Sequence, residues 1–180
     1  MKTTIRKLFW VWEFEKEEKW INEMAVQGLQ LCQVGFCKYV FEGGLPSEYI
    51  YRLEMFDKSP HSSESKDYIQ FVEDTGAEYI GSVKRWVYFR KKAGNGGFDI
   101  FSDIDSRVNY LGRIISFSGI LGGLNFFSGI GNMYIYFSSG SVGNFFAGLL
   151  GLGIGTALIL GLMRLNLKRK NLAKEKVLHE

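Results

Sequence analysis

Hydrophobic and polar positions divide the chain into two parts with different patterns. Up to about residue 113, short apolar runs alternate with polar positions and are separated by clusters of Gly, Ser, Asp and Lys, which is typical of mixed strands and helices. From Ile114 to Met163 the chain has no Asp, Glu, Lys, Arg or His. A soluble fold of this size does not need so long an uncharged tract.

The uncharged tract predicts two transmembrane helices. A bilayer requires roughly 20 apolar residues per helix, and the tract provides them twice, over 114–137 and over 142–163, with the small polar sequence SSGS between them. We therefore expect a helical hairpin that crosses the membrane twice. The alternative is a pair of buried helices in a soluble protein. The rest of so short a chain is too small to cover two such helices.

Cations near the tract predict its orientation. Arg107 and Arg113 precede the first span, a basic tail over 164–180 follows the second, and the SSGS loop has no cation. Because cytoplasmic flanks are enriched in Lys and Arg, we expect a two-pass cell-membrane protein with both termini in the cytoplasm. The tail is expected to bind anionic lipid headgroups through Arg164, Lys168, Arg169 and Lys170.

Small residues recur four apart in both predicted spans, a pattern that lets helices approach closely. Two asparagines also lie inside the spans, where an amide can hydrogen-bond to a neighbouring helix. This ridge either seals the hairpin onto itself or binds another chain, and the sequence leaves both possibilities open. The predicted packing residues are Gly119, Gly123, Asn125, Asn144, Gly151 and Gly155, with Gly143 and Ala147 in the same ridge.

The first part of the chain, residues 1–92, predicts the element order βαββαβ. Two stretches have apolar residues at helical spacing and end at a glycine, EKEEKWINEMAVQG and SKDYIQFVEDTG. This order predicts a ferredoxin-like α+β domain, with one antiparallel sheet and both helices on one face. A linker and juxtamembrane segment over 93–113 would join it to the first span. The predicted strands are KLFWVWEFE, LQLCQVGFCKYVFE, EYIYRLEMF and AEYIGSVKRWVYFRKK, the second and third forming a hairpin.

Strand alternation predicts that one face of this sheet is open. The face expected under the helices carries large apolar residues, whereas the opposite face mixes charges with aromatic side chains. Such a face is suited to docking a partner, although cross-strand ion pairs and stacked rings that only stabilise the sheet would give the same pattern. The predicted partner-binding residues are Arg52, Glu54, Trp86, Tyr88 and Arg90.

Composition and candidate chemistry argue against an enzyme. The net charge is only +3, too small to imply a polyanionic partner. Cys32 and Cys37 are expected to be reduced, and with two distant histidines they do not form a metal site. No nucleophile stands beside a histidine in a recognisable motif, and AGNGG lacks the lysine of a phosphate-binding loop. We therefore expect no catalysis, no metal, no cofactor and no nucleic-acid partner.

The stretch WEFEKEEKWINEMAVQGLQL resembles the opening of a bacterial family, domain of unknown function 2812, and the similarity extends over about residues 8–92. Glu78 departs from the family pattern, which often has Trp there, and this is expected to loosen the packing of the second helix. The resemblance implies a membrane-anchored cytoplasmic domain of Gram-positive bacteria, often encoded beside PadR-like transcription regulators, and no known activity. The matching residues are Trp20, Asn22, Glu23, Gly28, Phe41, Tyr51, Tyr68 and Gly76.

Two functions remain open on this reading. The first is an interaction or sensory module, in which the cytoplasmic domain binds a partner protein or a small ligand, alone or as a homo-oligomer. The alternative is a small accessory subunit of a transport or resistance complex, which would pack against a larger membrane protein through its glycine-rich hairpin.

Overall fold

The computed structural model describes residues 2–99 and 104–179, with Asn95 and 175–179 described by their backbone alone. Residues 100–103 of the predicted linker and the last residue of the predicted tail lie outside the described residues. The chain forms two compact units, Met1–Ser102 and Asp103–Glu180. The first unit extends past the predicted boundary at residue 92, because Phe98 is buried in one of its hydrophobic clusters.

Six strands and two helices form the first unit, with short 3₁₀ turns at Val11–Glu13 and Ala93–Asn95. Both helices were expected from their periodicity, and both end before a glycine with positive φ, Gly28 at 80° and Gly76 at 85°. In chain order the elements are β1 (Lys2–Arg6), α1 (Phe14–Val26), β2 (Leu29–Gly35), β3 (Lys38–Gly43), β4 (Tyr49–Met55), α2 (Ser63–Asp74), β5 (Ala77–Val83) and β6 (Trp86–Lys92).

These elements are two copies of one βαββ arrangement. The strands form two antiparallel three-stranded sheets, in the orders β1-β3-β2 and β4-β6-β5. In each copy the strand after the helix has an irregularity in its register at the same place, between Leu31 and Gln33 in β2 and between Tyr79 and Gly81 in β5. The unit is therefore an internal structural repeat, with β2 of the first sheet lying beside β5 of the second.

This topology differs from the predicted single ferredoxin-like sheet. Two of the four predicted strands are hairpins: LQLCQVGFCKYVFE turns at Phe36 and Cys37, and AEYIGSVKRWVYFRKK turns at Lys84 and Arg85. Strand β4 pairs with β6 and not with β3, so the predicted hairpin between them is absent. The segment KLFWVWEFE is not a strand, because the first strand is KTTIR and the aromatic residues after it form a loop and the start of α1.

Helix α1 packs between the two sheets. One hydrophobic cluster joins α1 to both sheets, through Ile21 of the helix, Tyr39 and Phe41 of β3, and Tyr51 and Leu53 of β4. A second cluster lies on the other face of the second sheet, where α2 covers β6. The second sheet is thus covered on both faces, so the predicted site residues on either face lie on a helix-covered side.

The second unit is a pair of antiparallel helices, α3 (Ile104–Ser139) and α4 (Val142–His179). The break falls within the predicted SSGS loop, where Gly140 has a φ of 71°. Both helices are longer than the predicted spans: α3 begins ten residues before Ile114, and α4 continues through the basic tail. At about 1.5 Å per residue each helix is over 50 Å long, whereas the hydrocarbon core of a bilayer is about 30 Å thick.

Candidate functional site

The five residues of the predicted partner-binding face do not share a face. In the register of the second sheet, Tyr51 is opposite Arg90 and Leu53 is opposite Tyr88. Residues opposite each other in a ladder point to the same side, so Trp86, Tyr88 and Arg90 point toward α1. Arg52 and Glu54 lie on the reverse side. The prediction of an open face is therefore wrong, because α1 and α2 cover the two faces of this sheet.

Each of the five side chains has partners inside the first unit. Arg52 forms an ion pair with Glu18 at 3.3 Å. Glu54 is 3% exposed and accepts a hydrogen bond from Tyr68. The ring of Trp86 stacks on Phe14 with centroids 5.6 Å apart. Two of the remaining contacts are the Arg90 Nε bond to Glu78 at 2.7 Å and the Tyr88 hydroxyl bond to Glu17 at 2.6 Å. Glu78, the departure from the family pattern, thus holds a cross-strand arginine.

Glu17 is a buried carboxylate at the centre of the first unit. One of its oxygens, Oε1, accepts hydrogen bonds from Tyr39 at 2.7 Å and from Tyr88 at 2.6 Å. Burial raises the pKa of Glu17 above its ordinary value, and the two phenol hydrogen bonds oppose that shift. Burial and the nearby carboxylate also raise the pKa of both tyrosines. Sequence reasoning missed this cluster, because Glu17 lies in a run of charges that is typical of a solvated helix start.

Two polar side chains of α1 pair with the free edge of β4. Asn22 donates from Nδ2 to the Tyr51 carbonyl at 3.0 Å and accepts from the Tyr51 N–H at 2.9 Å. Glu18 accepts from the Leu53 N–H at 2.9 Å. Since β4 is an edge strand, these side chains occupy the place of a neighbouring strand. Burial raises the pKa of Glu18, opposed by the Leu53 N–H and by Arg52.

The glycines of α4 contact the backbone of α3. A Cβ atom at Gly155 would lie 2.7 Å from the Phe126 nitrogen, and one at Gly151 would lie 2.9 Å from the Asn125 carbonyl oxygen. Gly129 of α3 is equally close to Leu152. Contacts this short exclude any side chain, so Gly151 and Gly155 of the predicted ridge pack inside the hairpin.

The other predicted packing residues contribute less. Gly119 would make an ordinary contact with Leu162, and a Cβ at Gly123 would meet nothing within 4 Å. Asn125 bonds the Leu121 carbonyl of its own helix at 2.8 Å. Asn144 lies in the first turn of α4, where its backbone N–H bonds Ser141. Asn132, which the sequence reading did not single out, also bonds back to its own helix, at Ser128.

The four predicted headgroup-binding cations all lie within α4. Arg164 and Lys170 are exposed, and Lys168 and Arg169 are half-buried. The Arg169 guanidinium lies over Gly112 of α3, 3.5 Å from the place of a Cβ. These four cations thus lie on a helix, and at Arg169 this helix packs against α3.

Among the described residues, no three His, Cys, Asp or Glu side chains lie close enough to share a metal ion. A groove of about 230 Å³ beside α2 is lined by residues that include His61, Lys66, Glu73 and Tyr79. Its volume is below the ~300–1,000 Å³ of ordinary ligand pockets. Cys32 and Cys37 are free thiols, the first donating to the Val40 carbonyl.

The geometry of the chain is that of a compact α+β unit joined to two long apolar helices, and comparison with known proteins agrees with the expected family. No curated protein and no solved structure matches the chain. One family model matches residues 13–122, from the start of α1 into the first apolar helix, under the description "Protein of unknown function (DUF2812)". The match covers more than half of the sequence, and the chain therefore belongs to this family.

Proposed function

We propose that the chain is a membrane-anchored, non-catalytic binding module whose α3–α4 hairpin crosses the cell membrane twice, with both termini in the cytoplasm. The observation that carries this proposal is the hairpin itself. Both helices are long and apolar enough to span a bilayer, and only 22% of the most apolar window of each is buried. A core helix of a soluble protein would be mostly buried, whereas these helices leave their apolar side chains to be covered by lipid.

The distribution of charge supports the orientation. Asp105, Arg107 and Arg113 lie in the first turns of α3, and the cations of α4 begin at Arg164, at the same end of the antiparallel pair. The Gly140 turn at the other end has no charge. Juxtamembrane cations attract anionic cytoplasmic headgroups by about 1 kcal/mol each, which favours Arg164, Lys168, Arg169 and Lys170 as lipid-binding residues.

A binding role fits the first unit better than catalysis does. Its buried Glu17 and Glu54 and its half-buried Glu18 are engaged in structural bonds: Glu17 with two tyrosines, Glu18 with the edge of β4, and Glu54 with Tyr68. The partner would be a protein or a second copy of the chain, recognised on the surface of the unit. The accessory-subunit alternative must now use the outward side of the hairpin, where Gly123, Gly143 and Gly153 have no side-chain neighbour.

The membrane topology can be tested with a cysteine beside the turn between α3 and α4. In a full chain with Cys32→Ser and Cys37→Ser, we expect Ser139→Cys to react with a membrane-impermeant maleimide added outside intact cells. A cysteine at exposed Ser63, the matched control in the first unit, should react only after the membrane is opened. Reaction of both positions from outside, or of Ser63→Cys alone, would contradict the proposed topology.

Partner binding is tested by crosslinking in native membranes, followed by purification of the full chain and mass spectrometry. A stoichiometric protein crosslinked to surface residues of the first unit, or a crosslinked second copy, supports the binding module. A larger membrane protein crosslinked only through the outward glycines of α3 and α4 would favour the accessory subunit. Recovery of the chain alone and uncrosslinked would refute both.

A further inference from the structure

Three loops meet at one end of the first unit, and we call this the loop end: residues 6–10, 36–38 and 84–85. The Lys7 N–H bonds the Cys37 carbonyl at 3.3 Å, which joins the segment after β1 to the β2–β3 turn. The Lys84 ammonium lies 5.9 Å from the centre of the Phe36 ring, which places the β5–β6 turn beside them.

The loop end exposes large apolar side chains. Phe36 is 75% exposed, Leu8 61% and Trp10 42%. Trp10 is held by its neighbour, since its ring stacks on Trp12 with centroids 5.0 Å apart. Exposed aromatic and aliphatic side chains grouped at one end of a unit are a feature of interaction surfaces, and single scattered ones are not.

Most of the charges around these side chains are positive. The segments 1–12, 31–41 and 79–90 contain no Asp or Glu. Within the described part of the first unit, Arg6, Lys38 and Lys84 form no ion pair. Two carboxylates lie nearby, and both are beside a cation. Glu13 accepts a hydrogen bond from the Trp10 N–H at 3.2 Å and pairs with Lys16 at 2.7 Å, and Asp57 of the β4–α2 loop lies 4.0 Å from Arg85.

Two of these cations are direct cross-strand neighbours. Arg6 of β1 is opposite Lys38 of β3, so both exposed side chains lie on the face of the first sheet that points away from α1. Like charges opposite each other weaken a sheet, and a surface of anions would relieve that repulsion. Tryptophan with Lys and Arg at an exposed apolar tip is also the combination found at the membrane interface.

We propose that the loop end docks on a bilayer that contains anionic lipids. Leu8, Trp10 and Phe36 enter the headgroup region, while Arg6, Lys38 and Lys84 contact lipid phosphates. This inference rests on the proposed function, because the hairpin keeps the first unit beside a membrane. A peptide partner would need acidic residues as well as an apolar pocket, whereas the bilayer supplies both features and is already present.

The tryptophans make a direct test possible. All four lie in the first unit, at positions 10, 12, 20 and 86, and α3 and α4 have none. The full chain is reconstituted in vesicles of phosphatidylcholine brominated on its acyl chains, with or without phosphatidylglycerol. We expect strong quenching of tryptophan emission with phosphatidylglycerol. It should weaken without phosphatidylglycerol and in about 1 M salt, where the Debye length is ~3 Å. Trp10→Phe should remove most of the quenched emission.

A matched pair of double variants identifies the surface. Leu8→Ser with Phe36→Ser should abolish the quenching. Leu45→Ser with Phe71→Ser changes the same residue types, at 70% and 64% exposure elsewhere on the unit, and should leave it intact. Thermal unfolding in detergent confirms that both variants fold, which is expected because all four side chains are exposed.

Separate outcomes distinguish this inference from the proposal on which it rests. If the chain stays in vesicles after an alkaline wash but its tryptophans are not quenched, the anchor stands and the docking is wrong. Quenching that survives Leu8→Ser with Phe36→Ser, or that the control pair removes equally, also overturns the docking. Loss of the chain from vesicles in the wash would overturn both. If aqueous iodide quenches Trp10 in every vesicle composition, the docking on lipid is wrong. The loop end would then be a surface for a protein partner.

Discussion

Glu17 is a buried residue whose protonation is tied to the fold. Its folded pKa lies above the ordinary value of 4.5, chiefly because of burial. The folded state therefore holds this proton more tightly than the unfolded chain does. Its contribution to stability is fully present below about pH 4.5 and is lost as the pH rises through the folded pKa.

Glu17→Gln should remove this part of the pH dependence of stability. The amide oxygen can still accept from Tyr39 and Tyr88, but the side chain cannot ionise. We expect the stability of the native chain to fall relative to the variant as the pH rises from about 4.5, measured by thermal unfolding in detergent. Glu23→Gln, an exposed carboxylate on the same helix, is the control. Parallel curves for the native chain and Glu17→Gln would show that Glu17 does not titrate differently in the folded state.

At the scale of elements, α1 stabilises a strand of the other repeat. Asn22 makes two backbone bonds to Tyr51, and Glu18 makes one to Leu53. The equivalent position in α2 is Gln70, whose amide bonds only to exposed Asp74. The two copies of the βαββ arrangement therefore share a topology and differ in what their helices bind.

Asn22→Ala should destabilise the first unit by about 1–3 kcal/mol, because it leaves the Tyr51 N–H of β4 without a partner. The Tyr51 carbonyl keeps only its bond from Arg52 at 3.1 Å. Gln70→Ala removes one exposed contact and should change the free energy of unfolding by about 0.5 kcal/mol or less. Chemical unfolding of the full chain in detergent, followed by tryptophan emission, compares the two. Equal losses would mean that α1 does not replace a strand at this edge.

The hairpin offers a second comparison between elements. A side chain at Gly155 meets the backbone of α3, whereas Gly153 has nothing within 4 Å of a Cβ. We expect Gly155→Leu to force the helices apart at a cost of about 1–3 kcal/mol. Gly153→Leu should leave the separation of the two helices unchanged.

Disulfide formation between single cysteines placed at Gly122 and Ile159 would measure this separation, because a Cβ at Gly122 lies 3.8 Å from the Ile159 Cγ1. Its rate in membranes should fall with Gly155→Leu and stay unchanged with Gly153→Leu. An unchanged rate with both would contradict the close helix packing. Loss with Gly153→Leu alone would place another chain on the outward side.

For the whole molecule, the cations beside the hairpin should set its orientation. Replacing Arg164, Lys168, Arg169 and Lys170 with Gln removes the cations nearest the second span and leaves Arg107, Arg113, Lys174 and Lys176. We therefore expect a mixed orientation. Lys16, Lys19, Lys58 and Lys66 are exposed and far from the spans in sequence, and replacing them should have no effect. Labelling of Ser139→Cys from outside intact cells is the measurement. A uniform orientation in the first variant would contradict a role for these cations.

Local sequence predicted the helices well and the sheet poorly. The helical spacing of apolar residues in α1 and α2, and the glycines that end these helices, are local signals that span only a few turns of the chain. The hairpins within LQLCQVGFCKYVFE and AEYIGSVKRWVYFRKK carry no Asn-Gly or Asp-Gly signal, and Cys37 and Lys84 adopt positive φ without glycine. Gly28 and Gly76 each stand between a helical pattern and a strand, and this recurrence is the signal by which the repeat could have been found.

The sequence by itself determined the two-part division of the chain, the helices and the apolar hairpin, because each follows from local composition and periodicity. Its resemblance to a known family indicated the family. Only the tertiary structure decided which faces are covered. Strand pairing between distant segments placed Tyr88 and Glu54 in the interior, paired Asn22 with β4, and gathered Leu8, Trp10 and Phe36 at one end. Alternation within a strand gives two faces, but only the elements that pack on them determine which face meets solvent.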